Sequence, residues 1–179
     1  MFVVLLTLTL FTSGLIIAGA VTDFLKLRIP NIISILIILC FAGAYGLHMV
    51  LDTNASFQEL SSHLYAFGGT LVVMMVLFFL KLFGGGDAKI IAAISLWAGT
   101  QGLAVFLMLT TVMGGVLAII SIILRKTKLG QKLISKLLKY QSLQDGWVGA
   151  LAKGTNVVPY GIAIAVGGIG AFRSLGYLP

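Results

Sequence analysis

Five acidic side chains occur in the 179 residues: Asp23, Asp52, Glu59, Asp87 and Asp145. Two of them stand where chemistry could follow. Asp23 closes an apolar run, in Val21-Thr22-Asp23-Phe24-Leu25-Lys26-Leu27-Arg28-Ile29-Pro30-Asn31, and Asp87 follows three glycines, in Gly84-Gly85-Gly86-Asp87-Ala88-Lys89. Each alone has an ordinary explanation. Asp23 can be a helix-end charge paired with Lys26 or Arg28, and Asp87 can be an N-cap. Together, at one depth, two carboxylates can share a proton, because like charges a few Å apart do not both ionise easily. The ionised member then activates a water, and the protonated member polarises a carbonyl. Asp52, Glu59 and Asp145 fall in polar stretches and read as solvated.

No other hydrolytic set can be assembled. Cys40 is the single cysteine, so neither an intramolecular disulfide nor a Cys/His zinc cluster is available. His48 and His63 fall towards the opposite face from both aspartates, and no Ser–His pair arises near them. No metal or cofactor is expected. Gly84, Gly85 and Gly86 permit unusual backbone angles and close approach of an extended peptide. A phosphate nest is the competing use of such a run, but the full P-loop pattern is missing and Asp87 would repel an anion. Lys89 either tunes Asp87 or extends to the membrane interface. Pro159, Tyr160 and Gly161 open a last apolar segment, as a structural helix start or as part of the site's wall.

The elements that must position these residues are transmembrane helices. Apolar residues make up 59% of the chain and charged residues 9%, whereas a soluble domain carries about 25% charged residues. A span needs about 20 apolar residues. Phe2–Val21, Ile32–Leu51, His63–Phe83 and Val157–Phe172 supply four. Ile90–Leu124 is too long for one span and is expected to break near Gly99-Thr100-Gln101-Gly102, giving a short fourth helix and a full fifth. The fold class is therefore an all-α polytopic membrane protein of about six transmembrane helices, one unit over residues 1–179. The N-terminal run lacks a basic region before it and reads as a retained span rather than a cleaved signal peptide.

With the N-terminus outside, eleven of the twelve Lys and Arg residues fall on the cytoplasmic side and only Arg173 falls outside, a strong positive-inside bias. Asp23 and Asp87 then share the cytoplasmic face. The net charge of +7 belongs to anchors facing anionic lipid rather than to a nucleic-acid surface. Residues 125–140 place Lys128, Lys132, Lys136 and Lys139 on one helical face and Leu129, Leu133, Ile134 and Leu137 on another, which predicts an amphipathic helix on the inner membrane surface. Trp147 is expected at the same interface. Glycines in the spans, from Gly14 to Gly170, read mostly as helix-packing positions.

Asp23 with Arg28-Ile29-Pro30-Asn31, then Gly84-Gly85-Gly86-Asp87-Ala88-Lys89, then Pro159-Tyr160-Gly161, resembles the type IV prepilin peptidase family, the Gly-x-Gly-Asp aspartic peptidases. The small form associated with tight-adherence (Flp) pili is the nearest match. The resemblance implies Asp23 and Asp87 as catalytic residues, with a prepilin or pseudopilin helix as substrate. It also implies cleavage of a short basic leader at the cytoplasmic face of the cell's inner membrane, after a glycine that precedes the pilin's apolar helix. Larger family members carry a cytoplasmic domain between the first two helices and also N-methylate the new terminus. Thr22–Asn31 has no room for such a domain, so methylation is not expected. Three rivals remain: an ion-coupled transporter using both acids, a non-catalytic subunit of a secretion system, and, within the protease class, an archaeal preflagellin peptidase or another Gly-x-Gly-Asp peptidase with a different substrate.

Overall fold

The computed structural model describes residues 2–51, 57–155 and 157–179. The reading of Asp52 as an external-loop acid lies outside the described residues. Every described element is a helix: α1 (Phe2–Lys26), α2 (Asn31–Leu51), α3 (Leu60–Phe79), α4 (Gly85–Lys126), α5 (Lys128–Leu137), α6 (Trp147–Ala152) and α7 (Tyr160–Ser174), with one 3-10 turn at Gln141–Leu143. Leu5–Lys26, Asn31–Val50, Leu60–Phe79 and Gly85–Lys126 are long and apolar enough to cross a membrane. At about 1.5 Å per residue, α7 reaches roughly 22 Å, short of a bilayer core of about 30 Å.

The long α4 is the axis of the fold. It packs against α3 on one side and α7 on the other, α7 packs on α1, and α2 touches both α1 and α4. Its two halves differ in sequence and therefore in burial. From Ala88 to Ala98 the only polar residues are Lys89 and Ser95, and every one except exposed Lys89 is buried. That is the pattern of a helix enclosed on all sides. Beyond Gly99, only Gly102, Phe106, Thr110, Gly114, Leu117 and Ser121 are buried, a single stripe at helical spacing. The inner half carries Asp87 in its first turn, so the site is mounted on the most enclosed helix of the molecule.

The expected break is present. Gly99 has φ 58° and ψ −174°, a region that residues with a Cβ do not favour. Backbone groups that a continuous helix would pair along its own axis need partners here, since lipid supplies none. They find them at the start of α3. The Gln58 amide donates to Ala98 O at 3.1 Å and accepts from the Gln101 N–H at 3.2 Å. Ser62 Oγ accepts from the Thr100 N–H at 3.1 Å, and His63 Nδ1 lies 2.7 Å from Leu96 O.

The structure adds detail to three expectations. Trp147, expected at the interface, is buried with Ile134, Val148 and Leu151, its ring 5.6 Å from that of Phe24. The basic face of α5 is exposed as expected, but Ile134 of the opposite face is buried against α6, and Leu129 and Leu133 remain exposed. The glycines in the spans divide. A methyl group added at Gly19, Gly114 or Gly168 would press on a neighbouring helix, while at Gly14, Gly43, Gly46, Gly68, Gly69 and Gly115 it would meet nothing. These last six do not serve packing within this chain.

Candidate active site

Asp23 is part of a helix rather than of the loop after it, because α1 continues to Lys26. Its side chain is buried, only 6% exposed. It is paired with neither Lys26 nor Arg28 among the described contacts. Its Oδ2 accepts the Gly161 N–H at 2.8 Å. Gly161 is the second residue of α7, behind Pro159 at the cap, so this N–H belongs to a helix start and has no intrahelical partner. A helix N-terminus aimed at a carboxylate favours its charge. Glycine is required at this position by space: a Cβ would stand 2.8 Å from Asp23 Cβ and 3.1 Å from Ala20 Cα.

Asp87 is also at a helix start, though not as the N-cap. Gly84 takes that place, and Asp87 is the third residue of α4. From there its carboxylate reaches back to the Gly84 N–H, as the acidic partner of a capping box does. The two carboxylates therefore sit at the N-termini of two different helices, and the charge of Asp23 acts on Asp87.

Both aspartates line the same two clefts. The first, about 700 Å³, is walled by Phe78, Phe79, Lys81, Leu82, Phe83, Val157, Val158 and Tyr160. The second, about 620 Å³, is walled by Thr22, Lys26, Arg28, Pro30, Asn31 and the three glycines. Asp23, Leu27, Gly84 and Asp87 belong to both. The first cleft is the richer in aromatic side chains and the second in polar ones, each carries at least one cation, and both carboxylates line both. Among the described residues no group of His, Cys, Asp and Glu could hold a metal ion.

The other expected site residues take more particular places. None of Gly84, Gly85 and Gly86 has a positive φ, so unusual backbone angles are not their use. A Cβ at Gly86 would lie 3.2 Å from Ile29 O, and one at Gly85 would lie 3.3 Å from the Phe78 ring. Those two make room for the chain's own segments. Gly84 is the exposed one that faces both clefts. Lys89 is exposed, and its Nζ donates to Asn31 Oδ1 at 3.0 Å, tying the start of α4 to the start of α2. Tyr160 lines the first cleft and packs on Phe83, ring centroids 5.0 Å apart. Pro159 is fully buried and lines neither cleft. Sequence reasoning passed over Leu27 and the aromatic end of α3. A Leu with φ 50° carries no sequence signal of that conformation, but the run Phe78-Phe79-Leu80 beside the glycines was visible.

No curated protein and no solved structure matches this chain significantly. The model of the type IV leader peptidase family matches residues 9–119, a stretch that holds Asp23, the three glycines and Asp87. With that match over more than half its length, the chain belongs to the type IV leader peptidase family.

Proposed function

We propose that this protein is an aspartic endopeptidase that removes the leader of Flp-like prepilins at the cytoplasmic face of the inner membrane. The observation that carries this reading is the sharing of both clefts by Asp23 and Asp87. A peptide running from one cleft to the other presents one carbonyl to both carboxylates. The ionised member takes a proton from a water as it attacks that carbonyl. The protonated member donates to the carbonyl oxygen, and a proton then passes to the departing amine. The Gly161 and Gly84 N–H groups hold the carboxylates in place.

Six spans with the N-terminus outside put the dyad on the cytoplasmic side. The counting takes the halves of α4 on either side of Gly99 separately and includes the short α7. The exposed lysines of α5 face anionic lipid. Only four residues separate α1 from α2, which leaves no room for an inserted domain, so cleavage without methylation is the activity proposed. A transporter would carry its acids at the break of a discontinuous helix. Here the break at Gly99 lies at the far end of the helix half that carries Asp87 in its first turn, and it is filled by the Gln58 amide.

The test is co-expression with a Flp-type prepilin and mass spectrometry of the pilin N-terminus, with Asp23→Asn and Asp87→Asn alongside. Leader removal by the wild type and by neither variant is expected. Normal processing by either variant would sink the dyad.

A further inference from the structure

In the six-span reading eleven of the twelve Lys and Arg residues fall on the dyad's side of the membrane, and Arg173 is the exception. It stands in the last turn of α7, at the end away from Gly161 and Asp23. It is exposed, and its guanidinium has neither an ion pair nor a hydrogen bond among the described residues. Arg173 borders a third groove, of about 740 Å³, and is the only polar residue among those described that line it. One wall is α1, through Ile17, Ala20, Val21, Phe24 and Leu25, a single stripe at helical spacing. The floor is α7, with a matching stripe from Ile162 to Gly170, and Leu109 of α4 stands on the other side. Gly170 makes that wall possible, because a Cβ there would overlap the Leu109 side chain. From Ile162 to Arg173, α7 rises roughly 16 Å, about half of a bilayer core of about 30 Å. The groove is therefore one leaflet long, apolar along its length and cationic at one end.

We propose that this groove binds an anionic phospholipid of the leaflet opposite the dyad, with an acyl chain along α1 and α7 and the phosphate on Arg173. The two chemistries match part by part. A guanidinium meets a phosphate through two parallel N–H donors, and a cation beside apolar helices is costly until an anion meets it. An acyl chain in the groove covers Ile17, Val21 and Val166, large apolar side chains that the protein leaves exposed. Two other occupants fit less well. A substrate helix lying here would share no lining residue with the clefts that hold Asp23 and Asp87. A second copy would have to bring an acid to Arg173. Among the described acids only Glu59 lies towards that end of the bundle, next to Phe57, whose ring packs on Tyr177, and Glu59 already accepts from the Ser61 hydroxyl at 3.3 Å. The site takes lipid rather than the cleaved peptide, so its test does not depend on the peptidase reading.

The experiment places the full-length protein in phosphatidylcholine nanodiscs doped with phosphatidylglycerol that carries a diazirine in its acyl chain, and maps the labelled peptides by mass spectrometry. Labelling of residues 17–25 and 162–170 is expected, about fivefold above that from a phosphatidylcholine probe with the same chain, as one headgroup contact to an Arg implies. Excess unlabelled phosphatidylglycerol should suppress it. Arg173→Gln should remove that about fivefold preference at the two segments and leave labelling of residues 125–140, the segment of the α5 lysines, unchanged. Arg173→Lys should keep most of the preference. Val166→Trp, which fills the groove, should lower labelling with Arg173 still in place. Equal labelling of the two segments by both probes would mean bulk lipid passing over an apolar surface and would overturn the proposal. That comparison uses the wild type alone, so it holds even if a variant fails to fold. A preference that survives Arg173→Gln would overturn it too, as would a dimer, detected by mass photometry, in which these segments are shielded from both probes.

Discussion

Two buried polar clusters mark the ends of the inner half of α4, and they are built on opposite plans. At the Gly99 end, Gln58, Ser62 and His63 take up backbone groups at the break, and the Gln58 amide uses both its donor and its acceptor. At the Asp87 end, each carboxylate receives one backbone N–H and otherwise faces open clefts. The first cluster spends most of its hydrogen-bonding capacity within the chain, although the buried His63 Nε2 has no partner among the described residues. The second has capacity to spare, in groups that are costly to bury. The contrast separates a polar cluster that holds a helix break together from one that opens onto clefts, although composition alone would have flagged both.

The comparison can be broken at either end. The largest effect belongs to the dyad: Asp23→Asn or Asp87→Asn should lower kcat at least about 10³-fold with thermal unfolding unchanged, followed by leader cleavage and a melting curve in detergent. Next is Gly161→Ala, whose methyl would press on Asp23 and displace the start of α7. A drop in kcat of roughly one to two powers of ten is expected from such misplacement, seen in the same cleavage assay with KM little changed. At the other end, Gln58→Leu leaves the buried Ala98 O and the part-buried Gln101 N–H unpaired and should cost about 2 kcal/mol of stability while kcat per folded molecule stays within about twofold. If catalysis fell as far as stability, the two clusters would not be separate in function. Lys89→Met should change cleavage less than about threefold, because an exposed side-chain hydrogen bond contributes little.

The smallest effect concerns Tyr177, beyond α7, where burial pushes the phenol up to about 12. Between about pH 10, its usual value, and 12, the unfolded chain releases this proton and the folded chain keeps it. Stability should therefore fall as pH rises through that window, and Tyr177→Phe should flatten the fall in an alkaline melting series.

The sequence made some of this legible because the constraint was local. A hydrophobic run has to be a helix in lipid, so the spans appear, and the break at Gly99 was readable because a 35-residue apolar stretch exceeds one crossing. The Gly-Gly-Gly-Asp run and the helix-end Asp23 marked the dyad. What stayed hidden depends on partners distant in the chain. Asp87 reads as an N-cap until Gly84 is seen to take that place. Gly86 reads as a substrate-facing glycine until Ile29 is found against it. Trp147 obeys the interface rule by composition and is buried only because α6 folds back onto Phe24. Leu27 was invisible because its conformation is imposed from outside: the end of α1 behind it and the α6 cluster beneath it.

The Gly161 N–H that reaches Asp23 comes from 138 residues further along the chain. A ribosome delivers Asp23 first, then Asp87, and Gly161 only later. Until α7 has been made and has packed on α1, a nascent chain holds both carboxylates without the donor that fixes one of them. The Asp23 carboxylate is therefore set in place after its own helix has formed, when α7 docks against it.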